Sequence, residues 1–103
     1  MLLEVAGFVR GLLYQRSVRR TGWNIRHDGL HVIRYSEFVR SKIEEIVIDG
    51  EILVGTPHHA LYIFGPADWD RRYPDWAHGR RDEIVRRIRS RCPDSGYEYH
   101  YRA

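Results

Sequence analysis

The sequence holds a single cysteine, Cys92, a single lysine, Lys42, and four prolines in 103 residues. A lone cysteine excludes an intrachain disulfide and any metal centre built on several thiolates. It fits a reducing compartment, so a cytoplasmic location is expected. No apolar run approaches the roughly 20 residues that span a bilayer, and no membrane span is expected. The most apolar stretch, Leu2 to Leu13, is interrupted by Glu4 and Arg10. It lacks a basic leader and a clear small-residue cleavage site, so no signal peptide is expected. Internal repeats, low-complexity tracts and linkers are also missing. The apolar fraction is 43% and the charged fraction 30%, a balance that argues against disorder. The expectation is one globular domain, residues 1–103, able to bury a core without staples.

The formal charge is +3, and sixteen of the seventeen basic residues are arginine. Residues 1–27 carry +4, residues 28–65 carry −3 and residues 66–103 carry +2. Basic ends therefore flank an acidic middle. Guanidinium forks suit carboxylates and phosphates, although a GC-rich genome yields the same bias with no functional content.

Helical spacing of Leu2, Val5, Val9, Leu12 and Arg16, widened by Phe8 and Leu13, predicts a helix from Leu2 to Arg20. Gly7 and Gly11 each cost such a helix about 1 kcal/mol and would let a neighbour pack closely. Two hairpins are expected next. Trp23–His27 and Leu30–Tyr35 flank Asp28-Gly29, and Ile43–Ile48 and Glu51–Gly55 flank Asp49-Gly50. A two-residue loop needs φ > 0 at both positions, which Asp-Gly tolerates. That register sets Ile25 opposite Val32, Val47 opposite Ile52 and Ile46 opposite Leu53. A strand from His59 to Phe64 follows, and Ala67–Ala77 reads as irregular or 3₁₀. A helix is expected from about Arg80 to Arg91, with Gly79 at its N-cap and Asp82 and Glu83 in its first turn. Ile84, Val85, Ile88 and Cys92 form its apolar stripe, and Pro93 stops it. Tyr97–Tyr101 alternates as a half-exposed strand does. The expected class is α+β: an N-terminal helix, an antiparallel meander of about five strands built on two Asp-Gly hairpins, a C-terminal helix and a short final strand.

Gly29-Leu30 through Lys42-Ile43-Glu44-Glu45-Ile46, closing with Arg81-Asp82-Glu83-Ile84-Val85-Arg86-Arg87-Ile88, resembles the later strands and closing helix of small bacterial pleckstrin-homology-like domains. An N-terminal helix stands where that family opens with strands, and Tyr97–Tyr101 follows the closing helix. The resemblance implies a binding scaffold rather than an enzyme, and carries over no ligand residue.

The densest unusual segment is Trp69-Asp70-Arg71-Arg72-Tyr73-Pro74-Asp75-Trp76. Large aromatics with arginine are the composition of interface hot spots and of platforms that stack unpaired bases. The competing structural role is a lid over the sheet, with Arg71 and Arg72 paired to nearby aspartates. Arg80, Arg86 and Arg87 on the following helix extend the basic surface, although Asp82 and Glu83 sit among them. Trp69, Arg71, Arg72, Tyr73, Trp76, Arg80, Arg86 and Arg87 are the expected binding residues.

Catalytic and metal readings are weaker. His27 and His31 should diverge to opposite faces of their hairpin, and His58 and His59 diverge on a strand. No H-E-x-x-H, phosphate-cradling glycine loop or nucleophile elbow is present. Cys92 sits at a helix C-terminus, which disfavours the thiolate. No cofactor, metal or catalytic residue is expected. The leading expectation is a non-enzymatic binding protein for an acidic protein surface. Nucleic-acid binding comes second, and an enzyme with dispersed His and Glu residues third. Tyr97, Tyr99 and Tyr101 would line an edge strand on which a homodimer could form.

Overall fold

The computed structural model describes residues 2–29 and 31–102, with side chains from residue 10 onward. The first helix, α1, spans Leu2–Thr21, as the apolar spacing predicts. The stripe residues Leu2, Val5, Phe8 and Val9, and Gly7, lie outside the described side chains. Val18 is buried, whereas Leu12 and Leu13 are exposed. Gly11 has open space where a Cβ would sit, so it does not serve close packing. Gly11→Ala is therefore expected to raise stability by up to about 1 kcal/mol. The midpoint of urea unfolding measures this, and a lowered midpoint would contradict it.

Strands β1 (Trp23–Asp28), β2 (Val32–Val39) and β3 (Lys42–Ile48) form one antiparallel sheet in that order. The first Asp-Gly site does mark a hairpin, but Asp28 pairs with Val32 instead of lying in a two-residue loop, and Leu30, the expected start of the second strand, lies outside the described residues. Ile25 consequently faces Tyr35 rather than Val32. Gly29, at φ +71°, supplies the left-handed residue. β2 runs four residues beyond the expected end at Tyr35. Its turn into β3 is Arg40-Ser41, with φ of 50° and 68°. Both central residues of a tight hairpin loop need positive φ, and cross-strand pairing holds them there without glycine.

The second Asp-Gly site is not a hairpin. Ile46 pairs with Tyr35 and Val47 with Arg34, so neither faces Leu53 or Ile52. Beyond Ile48 the chain passes into a second sheet, ordered β4 (Gly50–Ile52), β5 (His59–Ile63) and β6 (Tyr97–Tyr101). The five-strand meander is thus replaced by two three-stranded sheets. A Cβ on Gly50 would lie 2.2 Å from the Ala60 carbonyl oxygen and 2.8 Å from that of His31. Glycine stands there because the backbone of β5 and that of the first hairpin connection converge on it.

β6 pairs with β5 in parallel. Parallel neighbours need a long crossover, and α2 (Pro66–Arg72), a 3₁₀ turn (Asp75–Ala77) and α3 (Arg81–Arg91) supply it. The segment expected to be irregular is therefore partly helical, with Pro66 in the first turn, where its missing N–H costs nothing. Arg80, not Gly79, occupies the N-cap of α3. Gly79 is at φ +69°, outside the extended conformation an N-cap adopts.

Cross-strand register divides the first sheet by face. Ile33, Tyr35, Ile46 and Ile48 meet Leu61, Ile63, Trp69, Ala77, Ile84, Val85, Ile88 and Cys92 in one core. The expected stripe of α3 is buried as a unit. The opposite face carries Asn24 and Ser36, which bond α1 through Ser17 and Tyr14. Among the described residues, no helix is long and apolar enough to cross a membrane.

Candidate functional site

The eight residues expected to bind a partner separate into three environments. Trp69 is fully buried, and its indole N–H donates to the Ala77 carbonyl at 2.9 Å. Tyr73 is half-buried against Trp69, with ring centroids 4.5 Å apart. Its hydroxyl donates to the Val47 carbonyl at 3.0 Å, and burial pushes its pKa up. These two side chains fasten the crossover to the core, the role of a lid.

Arg80 and Arg87 turn inward. Both guanidiniums converge on Glu37, a nearly buried carboxylate on β2. Arg80 holds both Glu37 oxygens, its Nη2 donating to Oε1 at 2.9 Å. Arg87 donates to Glu37 Oε1 at 2.9 Å and to the Tyr35 hydroxyl at 2.7 Å. The Tyr35 hydroxyl in turn donates to Glu37 at 2.6 Å. Glu83 pairs with both arginines from one turn along α3. Burial opposes the Glu37 charge, but the bonds from Arg80 and Tyr35 outweigh it and hold the carboxyl below its usual range. Ring stacking continues the layer: Trp76 on Tyr35 at 6.4 Å, and Tyr35 on Trp23 at 6.1 Å. The Arg87 and Arg91 guanidiniums cover Trp23 at 5.5 and 4.8 Å. Arginine and aromatics do assemble, as their composition predicts, but largely as an internal brace between α3 and the first sheet. Glu37 was not singled out from the sequence. Its signal was there in the alternation Ile33, Tyr35, Glu37, which sets a carboxylate on the inward face.

Arg71, Arg72 and Arg86 remain exposed. Arg71 pairs with Asp68 at 2.7 Å, and Arg72 lies over the Phe64 ring at 4.6 Å. Trp76 is half-buried. One side of it stacks on Tyr35. The residue also lines an open groove of about 660 Å³ with Val39, Arg40, Lys42, Glu44 and Asp75. Its indole N–H is buried without a hydrogen-bond partner. Among the described residues, neither Arg40 nor Lys42 has a carboxylate within ion-pair distance, unlike Arg71, Arg80 and Arg87. The groove joins the β2–β3 turn to the Pro74–Trp76 turn, which lie far apart in sequence. Arg40 and Lys42 were missed because nothing local marks a turn built on Arg-Ser.

The histidines meet differently from expectation. His31 lies in the first hairpin connection and His58 before β5, both exposed. His27 and His59 come together, ring centroids 5.7 Å apart, and both stack with Tyr97. The Tyr97 hydroxyl bonds His27 Nε2 at 2.7 Å. Burial raises the Tyr97 pKa to about 12 and also raises that of the Cys92 thiol beside it. Cys92 is a core residue. A second open groove holds His27 and Glu45, but Glu45 accepts from Ser36 at 3.0 Å and pairs with Arg26 and Arg34. Among the described residues, no group of three or more His, Cys, Asp or Glu side chains is placed to hold a metal ion. Comparison of the chain with family models, with curated proteins and with solved structures returned no match.

Proposed function

We propose that the protein is a non-enzymatic binding module that engages an acidic segment of a partner protein along the Trp76 groove. One observation carries the reading: a half-buried indole lines an open groove beside two cations that, among the described residues, have no carboxylate within ion-pair distance. Such a groove combines a rigid aromatic anchor with charge free to meet carboxylates. Arg72 and Arg86, exposed on the crossover helices, add positive charge to the same half of the chain. The pleckstrin-homology-like pattern of the sequence agrees with a scaffold role. Nucleic acid is less favoured, because Trp69 and Tyr73 are committed to the core and Arg80 and Arg87 to Glu37.

The test is fluorescence-anisotropy titration with a labelled glutamate-rich peptide, beside a lysine-rich peptide and an oligothymidylate. The acidic peptide is expected to bind best. Trp76→Phe is expected to weaken it about tenfold while leaving thermal stability near that of the wild type, since the lost N–H bonds nothing. Replacing Arg40 and Lys42 with alanine is expected to weaken it similarly. Absence of binding to the acidic peptide overturns the proposal. Preferential, steeply salt-dependent binding of oligothymidylate also overturns it, in favour of nucleic acid.

A further inference from the structure

Sheet edges expose unpaired backbone groups, and proteins usually cover or blunt them. Here the blunting is uneven. On β1, the outward N–H of Ile25 donates to the Asn24 side chain at 2.8 Å. Arg91 bonds the same Asn24 oxygen at 3.1 Å. On β3, the Val47 carbonyl is taken by Tyr73. β4 has only three residues. β6, with five residues, is the remaining edge of the second sheet.

The hydrogen bonds show which of its groups face outward. His59 N–H donates to the Gly96 carbonyl, and Arg102 N–H to the Ile63 carbonyl. Even-numbered residues of this strand thus turn their backbone groups towards β5. Tyr97, Tyr99 and Tyr101 turn theirs away. The Tyr97 N–H is used by the Pro93 carbonyl. Among the described backbone hydrogen bonds outside the regular elements, none uses an outward group of Tyr99 or Tyr101. An open groove of about 400 Å³ runs beside the strand, walled by Pro57, Arg89 and Asp94.

The side chains identify the occupant. The strand reads Tyr97-Glu98-Tyr99-His100-Tyr101, the same residue classes in either direction apart from one exchange of Glu for His. Antiparallel pairing about a two-fold axis at Tyr99 aligns it with itself. Tyr99 then exchanges both backbone bonds with the partner's Tyr99, and Tyr101 N–H reaches the carbonyl of the partner's Tyr97. Glu98 falls opposite the partner's His100, and His100 opposite the partner's Glu98. These are non-hydrogen-bonded pairs, where side chains come closest. Glu98 and His100 are both half-exposed and already 3.5 Å apart on one strand. An acceptor carboxylate and an imidazole thus alternate along the edge, as self-recognition requires.

We propose that the protein forms a two-fold symmetric homodimer by antiparallel pairing of β6 with a second copy of β6, joining the second sheets of both chains. The groove occupied in the function proposed above lies elsewhere, so either reading stands without the other.

Sedimentation analysis of the full chain tests it. The wild type is expected to be a dimer that dissociates on dilution. His100→Glu sets two carboxylates opposite one another at both pairs, and Glu98→Arg removes the carboxylate that faces the partner's His100 at both pairs. Each is expected to weaken the dimer roughly tenfold or more. Both positions are solvent-exposed, and far-ultraviolet dichroism checks that each variant is folded. Mixing the two variants restores opposite charges across the axis and is expected to restore dimers of mixed composition. A wild type that stays monomeric on concentration overturns the proposal. So does a dimer that both variants leave intact, or variants that fail to rescue one another.

Discussion

Gly50→Ala is expected to cost about 3 kcal/mol or more, and to lower the thermal midpoint by roughly 15 °C. The added Cβ would meet the Ala60 carbonyl oxygen at 2.2 Å and the His31 carbonyl oxygen at 2.8 Å. Both obstacles are backbone atoms, so no side-chain rotation relieves them. Relief requires β4 to move away from β5, breaking the pairing Gly50 makes with Leu61. A chain of this length has a total stability of roughly 5–15 kcal/mol, so the loss is a large share of it. Gly96→Ala is the control, because Gly96 has open space around it and no positive φ. Thermal unfolding of the two variants compares them directly. Equal midpoints would mean that these backbones do not converge at Gly50.

Glu37→Ala is expected to destabilise the fold by about 3 kcal/mol. It leaves Arg80 and Arg87, each about 30% exposed, without their nearly buried partner and with only the more exposed Glu83 to pair with. The Tyr35 hydroxyl also loses its acceptor. Glu37→Gln should cost less, since it keeps the shape and one acceptor oxygen. The pH dependence follows from the lowered carboxyl pKa of Glu37. The unfolded chain binds that proton more readily than the folded one. The contribution is therefore complete above the ordinary carboxyl range and is lost as pH falls through it to the lower folded value. Glu83, lowered mainly by its bond to Arg80, acts in the same direction. Urea unfolding from pH 7 down to about pH 3 is expected to show the gap between wild type and Glu37→Gln narrowing with acid. A gap independent of pH would mean that Glu37 contributes no charge interaction.

The proposed groove was partly legible. Trp76 stands out in the sequence, and the exposed Arg71, Arg72 and Arg86 were named with it, but they do not line its groove. Trp69 looked equivalent to Trp76, seven residues away, yet one indole is sealed and the other half-open. Which one goes inside is decided by the helix Pro66–Arg72, whose inward position falls at Trp69. Arg80 and Arg87 read as a charged surface because Glu37, their partner, is over forty residues away. Arg40 and Lys42 carry no local mark at all.

Neighbours along the chain determined the α+β class, the extents of α1 and α3, the buried stripe Ile84-Val85-Ile88-Cys92 and the alternation of β6. Each rests on 3.6- or 2-residue periodicity, or on a breaker such as Pro93. Beyond the first hairpin, tertiary structure alone decided which strands pair. Positive φ at a glycine serves a tight turn, but the missing side chain serves close backbone approach equally well. Asp28-Gly29 and Asp49-Gly50 are the same dipeptide put to these two uses. The choice at Gly50 was made by Ala60 and His31, whose carbonyls leave room for a hydrogen and nothing larger.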